Sequence, residues 1–177
     1  MAYSLILLRA DTGLPCVFYG DLYGCIEPEV DGRTFSSPAS GGVLVPKLML
    51  ARKLYAYGSQ LDYFDQTNCI GFTRTGHPSR SGGAGLAVVL TSGWTFASKR
   101  MYVGTRHAGE RWTDILHCCW GEIIIDENGW GLFPVGPRST AVWVNSAAEG
   151  RQFMDRFDLS APSPTTSHFS YLLTLLF

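Results

Sequence analysis

Between Cys69 and Val144 the chain turns into a series of short runs of β-forming residues, and no other feature limits its possible folds as much. The runs are Cys69 to Thr75, Leu86 to Thr91, Arg100 to Val103, Arg111 to Leu116, Glu122 to Ile125, Leu132 to Val135 and Thr140 to Val144. Gly83, Ser92-Gly93, Ala108-Gly109, Asn128-Gly129 and Gly136-Pro137 separate them. Short strands at this spacing, divided by turn residues, predict an antiparallel sandwich or barrel. Asn128-Gly129 is the clearest hairpin signal, because both residues tolerate the positive φ that a tight hairpin turn needs.

The first 58 residues read differently. Met1 to Asp11 predicts a short apolar helix, with Gly13 and Pro15 as stop signals. Cys16-Val17-Phe18-Tyr19 is a continuous apolar run closed by Gly20. A run without alternation predicts a strand buried on both faces, as in a parallel sheet, and helix followed by buried strand is one step of an α/β fold. Tyr23 to Val45 is rich in Gly, Pro and Ser and reads as a loop, and Pro46 to Tyr57 reads as a helix with Gly58 as its cap. In that helix Leu50, Leu54 and Tyr57 share a face, with Leu48 and Ala51 nearby. After Asn145 the texture changes again. Residues 161–167 are rich in Pro, Ser and Thr, and the chain closes on an apolar run, Tyr171 to Phe177.

Composition bears on the class of function. Hydrophobic residues are 46% of the 177 and charged residues 16%, enough apolar surface for a real core. Fourteen basic residues balance fifteen acidic ones. No basic stripe exists to displace counterions, so no nucleic-acid partner is expected. No apolar run reaches membrane-spanning length, so no membrane partner is expected either. The five cysteines are odd in number, two are adjacent, and none forms a C-x-x-C, which reads as reduced thiols. With no secretory leader apparent at the first residue, the expected location is cytoplasmic.

Several motifs, taken in order, resemble a known family. They are Gly13-Leu14-Pro15-Cys16-Val17-Phe18-Tyr19-Gly20-Asp21, Ala51-Arg52-Lys53-Leu54-Tyr55-Ala56-Tyr57-Gly58 and Asp62-Tyr63-Phe64-Asp65, followed by Cys69 to Arg74. Gly85 to Val89, Met101 to Gly104, Ala108 to Ile115 and Gly129 to Phe133 continue the series. This ordered set resembles the C-terminal part of α-amylases of glycoside hydrolase family 13, most of all the liquefying and intracellular fungal type. The resemblance implies the last α/β unit of a TIM-type barrel followed by a C-terminal antiparallel Greek-key β-sandwich. On that reading residues 1–58 are the end of an incomplete catalytic barrel, 59–144 the sandwich, and 145–177 a tail that matches nothing in the family.

The same resemblance implies an enzyme that hydrolyses internal α-1,4-glucosidic bonds of starch or glycogen by a retaining mechanism. Such chemistry needs two carboxyl groups about 5 Å apart. In the family these lie on earlier strands, before the region that Met1 matches, so no catalytic residue is assigned and the chain alone is expected to be inactive. Asp21, with Tyr19 and Tyr23 beside it, is placed as a possible cleft lining. The alternative, a loop Asp bonded to nearby backbone N–H groups, is the favoured one. The complete family enzyme binds calcium. Here the positions matching its interdomain site are Thr67, Asn68 and Ser92, which offer no carboxylate, and no cofactor is expected for this chain. Asp62 and Asp65 are read as fixing the turn into the sandwich, and His117-Cys118-Cys119 lacks zinc-ligand spacing. Trp112, Trp130 and Trp143 fall in or beside strands and read as core. Trp94 and Trp120 fall in turns and are the better candidates for stacking on sugar, although packing is the favoured reading for them too. Two rival functions stand beside the amylase fragment. One is a standalone non-catalytic module that binds glucan or partners an amylase, and the other a remnant without function.

Overall fold

The computed structural model describes residues 1–26, 36–42 and 44–154. The expectations for 161–167 and 171–177, and for part of the loop between Tyr23 and Val45, lie outside the described residues.

Ten strands and four helices are described, and every strand pair is antiparallel. The N-terminal region holds α1 (Ala2–Leu8), α2 (Tyr19–Tyr23), a two-residue pair β1 (Cys25–Ile26) and β2 (Ser36–Ser37), and α3 (Leu44–Tyr55). Next come β3 (Gln60–Gln66), β4 (Cys69–Arg74), β5 (Leu86–Thr91), β6 (Ala97–Tyr102) and β7 (Arg111–Asp114). The chain continues through β8 (Ile123–Ile124), β9 (Trp130–Val135), β10 (Thr140–Asn145) and α4 (Arg151–Met154). A six-stranded sheet runs in the order β3-β4-β5-β10-β7-β8, and β6 pairs with β9 in a separate sheet.

The central strands explain the layering. Every residue of β5 is buried. Leu86, Val88 and Leu90 enter one apolar cluster with Leu7, Leu8, Leu48, Met49 and Tyr55 of the helices. Ala87 and Val89 point the other way, into a second cluster with Met101, Phe133 and Val135 of the β6–β9 sheet. β10 divides likewise, with Val142 and Val144 toward the helices and Ala141 and Trp143 toward β6–β9. The period of two along each strand thus serves two cores at once. Polar bonds fasten the layers. Thr73 Oγ1 donates to Tyr102 O at 2.8 Å, Trp143 Nε1 donates to Pro134 O at 3.1 Å, and the buried Lys99 of β6 meets Asp65 of β3 at 2.6 Å.

This is not the architecture expected. No barrel is formed. The described residues make an α/β N-terminal region and an open antiparallel region, with the large sheet ending at β3 and β8. Residues 16–18 are not a strand, and Tyr19 begins a helix. A strand persists only where its N–H and C=O groups find partners, and no described strand lies beside this segment to supply them. Val17 packs against the helix-side cluster, while Cys16, Phe18 and Tyr19 are exposed instead of buried on both faces. A second correction concerns Gln60–Gln66. Asp62 and Asp65 lie within β3, which pairs with β4 through Asp62↔Phe72 and Tyr63↔Gly71, instead of in a turn. Third, α3 begins at Leu44, before Pro46, and buries Val45, Leu48, Met49, Ala51 and Tyr55, while Tyr57 lies beyond its end.

Residues 145–154 pack on the body. Met154 is fully buried in the helix-side cluster, and Tyr55 Oη donates to Glu149 O at 3.0 Å. Among the described residues no helix is long and apolar enough to cross a membrane.

Candidate functional site

Tyr19 and Tyr23 are four residues apart on the single turn of α2, which puts them on one face. Their ring centroids are 4.8 Å apart. With Gly24, Cys25, Ser36, Ser37 and Pro38 they line a solvent-open hollow of about 470 Å³. Asp21 is not part of that lining. On a strand, residues 19, 21 and 23 would share a face, whereas on a helix the middle one turns away. Asp21 accepts hydrogen bonds from Ser40 Oγ and Tyr3 Oη, so it joins α1 to the segment before α3. Those two hydroxyls, Ser40 first, hold its carboxyl below the ordinary range. A carboxyl held ionised in this way is a poor proton donor.

Two further carboxylates are engaged inside the β region. Asp114 is 3% exposed. Its Oδ1 accepts from Leu116 N at 3.0 Å and Val142 N at 2.8 Å, and its Oδ2 from Cys118 N at 2.8 Å and Cys119 N at 3.0 Å. Burial pushes this carboxyl up, against the pull of the four N–H bonds. Glu110 Oε2 contacts His107 Nδ1 at 2.9 Å and accepts from Trp112 Nε1 at 2.8 Å. Burial raises the Glu110 carboxyl, but bonds from His107, Trp112 and Asn145 outweigh it and hold it below its ordinary value. A folded value below the unfolded one means stability that is present above the unfolded pKa and lost as pH falls through the folded one. Thermal stability should therefore drop on acidification from about pH 5 to pH 3, and the Glu110→Gln variant should show a shallower drop. Differential scanning fluorimetry across that range checks this, and equal slopes would refute it.

Of the three positions that the resemblance matched to a calcium site, Asn68 and Ser92 are brought together. Ser92 N donates to Asn68 O at 3.0 Å, and Thr91 Oγ1 donates to the same carbonyl at 2.8 Å. The side chains there are hydroxyls and one amide. Calcium takes six to eight oxygens, several of them from carboxylates, so this donor set does not fit it. Among the described residues no three of His, Cys, Asp or Glu gather as metal ligands.

Three large aromatics stand out into solvent at one end of the β region: Trp94 is 79% exposed, Phe96 76% and Trp120 90%. The turn after β9 joins them. Arg138 N donates to Gly93 O at 2.9 Å, and its guanidinium lies over the Trp94 ring at 4.4 Å. A methyl group at Gly136 would meet Phe96 Cε1 at 3.8 Å and Cys118 O at 3.6 Å. Trp94 and Phe96 therefore flank the turn that carries Arg138, and the backbone at Cys118, two residues before Trp120, reaches the same turn. Trp112 and Trp143, by contrast, are buried, and Trp130 is half-buried under Arg100 at 4.8 Å. Arg138 had no signal in the sequence, since it joins Trp94 only through the fold, whereas Phe96 stands two residues from Trp94.

Residues 86–144, which run from β5 to β10, match a family described as Alpha-amylase C-terminal. Over 144 residues the chain is 41% identical to an α-amylase of Geobacillus stearothermophilus, covering 81% of this chain and 24% of that protein. The chain is a homologue of the glycoside hydrolase 13 α-amylases. This α-amylase homologue is also 41% identical over 145 residues to a glucan 1,4-alpha-maltohexaosidase of Bacillus sp. (strain 707), covering 82% of this chain and 26% of that one. It is 36% identical over 146 residues to the cytoplasmic alpha-amylase of Escherichia coli K12, covering 81% of this chain and 28% of the relative. The amylase homologue thus spans about a quarter of the length of the curated relatives it matches, largely in their C-terminal region.

Proposed function

We propose that this chain is a non-catalytic, glucan-binding C-terminal module of the α-amylase type. The observation that carries the reading is the coincidence of two facts. The residues matched to the α-amylase C-terminal family form the strand-rich region. That same region holds three solvent-facing aromatics, of which Trp94 and Phe96 flank the turn after β9. Pyranose rings present C–H faces that pack on aromatic rings, and the Arg138 guanidinium beside Trp94 supplies donors for sugar hydroxyls. Relatives named for α-amylase and glucan activity make an α-1,4-glucan the natural occupant. In this reading the chain needs no calcium of its own. A reducing, cytoplasmic setting suits its free thiols and its likeness to a relative named as cytoplasmic.

Affinity electrophoresis of the full chain in gels containing glycogen or amylose tests the proposal. Retardation should be saturable. Trp94→Ala and Trp120→Ala should each weaken binding by about threefold to tenfold, the size of one lost aromatic contact. Because both side chains are exposed, neither change should shift stability by more than about 0.5 kcal/mol. No retardation of the wild-type chain, or unchanged retardation of the double variant, overturns the proposal. No hydrolysis of amylose is expected from this chain, because Asp21, Glu110 and Asp114 are each held in structural bonds. Release of reducing ends by the pure chain would contradict that.

A further inference from the structure

The hollow beside Tyr19 and Tyr23 plays no part in the contact at the aromatic end and shares no residue with it. Two short segments are tied together to form it. On one side stands α2, whose Tyr19 and Tyr23 rings are tilted by 37° and are 53% and 41% exposed. On the other side stands β2, which pairs with β1 through Cys25↔Ser37. Gly24 makes the corner between them. Its φ is +77, and a Cβ there would lie 2.8 Å from Ser37 O, so glycine is what lets β2 come this close to the end of α2. Two further ties run from α2 to the segment after β2. Gly41 N donates to Asp21 O at 2.7 Å, and Ser40 Oγ donates to the Asp21 carboxylate. Asp21 does not line the hollow, but it braces the segments that do. The walls are therefore held in place before any ligand arrives.

The chemistry of the walls selects the occupant. No charged side chain lines the hollow, so a charged ligand would find no counter-charge there. The walls offer two aromatic rings with phenol hydroxyls, and Ser36 and Ser37, both exposed, add further hydroxyls. Burial first, and then the neighbouring Tyr19, push the Tyr23 phenol above its ordinary value, so it remains a neutral O–H donor. A purely apolar ligand would leave these hydroxyls without partners. A hexopyranose meets both kinds of surface. Its C–H face packs on an aromatic ring, and its hydroxyls both donate and accept. The volume, about 470 Å³, suits a small ligand and not a folded partner.

We propose that this hollow is a second saccharide site, which takes a short piece of neutral α-glucan against Tyr19 and Tyr23. That the ligand is a neutral sugar follows from the hollow itself. That the sugar is an α-glucan rests on the glucan reading above. The two sites are testable apart, since the hollow is built from residues 19–25 and 36–38 and the aromatic end from 93–96, 118–120 and 136–138.

The test is a titration of the ¹⁵N-labelled full chain with maltotriose, and with glycerol at matched hydroxyl concentration, followed by ¹H–¹⁵N correlation spectra. Saturable shifts of the Gly24, Cys25 and Ser37 amides are expected with maltotriose and not with glycerol. They should persist when Trp94→Ala and Trp120→Ala are combined. Tyr23→Ala should weaken this binding by about threefold to tenfold, the size of one lost aromatic contact. Tyr19 is the more exposed of the two rings, so Tyr19→Ala keeps the test decisive if the Tyr23 variant folds poorly. No saturable shift at Gly24 and Ser37 overturns the inference, and saturation of the Trp94 indole in the same titration would leave the glucan reading standing. Saturation at Gly24 and Ser37 with none at Trp94 or Trp120 supports the hollow and counts against the aromatic end. A glycerol response equal to that of maltotriose, or tyrosine variants that bind as the wild type does, also overturns the inference.

Discussion

Asp114→Ala should unfold at a much lower urea concentration than the wild-type chain, with a stability loss of about 4 kcal/mol. The size follows from what the carboxylate holds. Its two oxygens accept from four backbone N–H groups, those of Leu116, Cys118, Cys119 and Val142. Three of these belong to the turn after β7, and the fourth belongs to β10, which pairs with β7 through Trp143↔Asp114. One side chain thus closes a turn and ties it to the central strand of the large sheet. Alanine leaves those donors without acceptors in a place where Asp114 itself is 3% exposed. An unmet buried donor costs about 1–3 kcal/mol, and water entering the space left by the carboxylate would satisfy some of them. Asp114→Asn keeps one oxygen acceptor but turns an amide N–H₂ toward two N–H groups, so it should lose about half as much. Urea titration followed by tryptophan fluorescence measures both. A loss below about 1 kcal/mol for the alanine variant would show that the turn stands without its acceptor.

Asp114 also illustrates which parts of the fold were legible in the sequence. The runs Leu86–Thr91 and Thr140–Val144 read as strands because they are apolar throughout, and the fold buries both faces of each. Cys16–Tyr19 carries the same signal, yet it is not a strand and Cys16, Phe18 and Tyr19 are exposed, because a buried strand needs a neighbouring ladder and none lies beside it among the described residues. The reverse error occurs at Gln60–Gln66. Its apolar residues Leu61 and Phe64 are themselves exposed and its other exposed residues are polar, so no core-facing pattern marks it, yet it pairs with β4 along the sheet edge. The site follows the same logic. Trp94 and Trp120 were visible as aromatics in turns, and Phe96 stands two residues from Trp94, but Arg138 reaches Trp94 only through contact between distant segments.

Gly129→Ala should be severely destabilising, with an expected loss of more than about 3 kcal/mol. The sequence pair Asn128-Gly129 promised a hairpin, but the strands on either side of it do not pair with each other. β8 pairs with β7, and β9 pairs with β6. The turn therefore carries the chain from the large sheet to the small one. Asp126 organises it, its Oδ1 accepting from Asn128 N at 2.9 Å and Trp130 N at 2.8 Å. Gly129 has φ +80, a region that costs a residue with a Cβ about 1–2 kcal/mol. Steric contact costs more than this strain. A Cβ there would lie 2.4 Å from Gly104 C and 2.6 Å from Thr105 N, both of them backbone, where no flexible side chain can move aside. Separation of the two segments would also break the bond from Val103 N to Gly129 O at 2.8 Å, which holds the end of the β6 segment to the turn. Gly121 is the control, since it also has positive φ, at 96°, but nothing lies within 4 Å of its Cβ position. Gly121→Ala should cost only the backbone strain, about 1–2 kcal/mol. If chemical denaturation finds the two variants equally stable, backbone crowding at the sheet crossing is not what the glycine relieves. If Gly129→Ala alone fails to reach a folded baseline, the close approach of residues 103–105 to this turn is what keeps the two sheets in register.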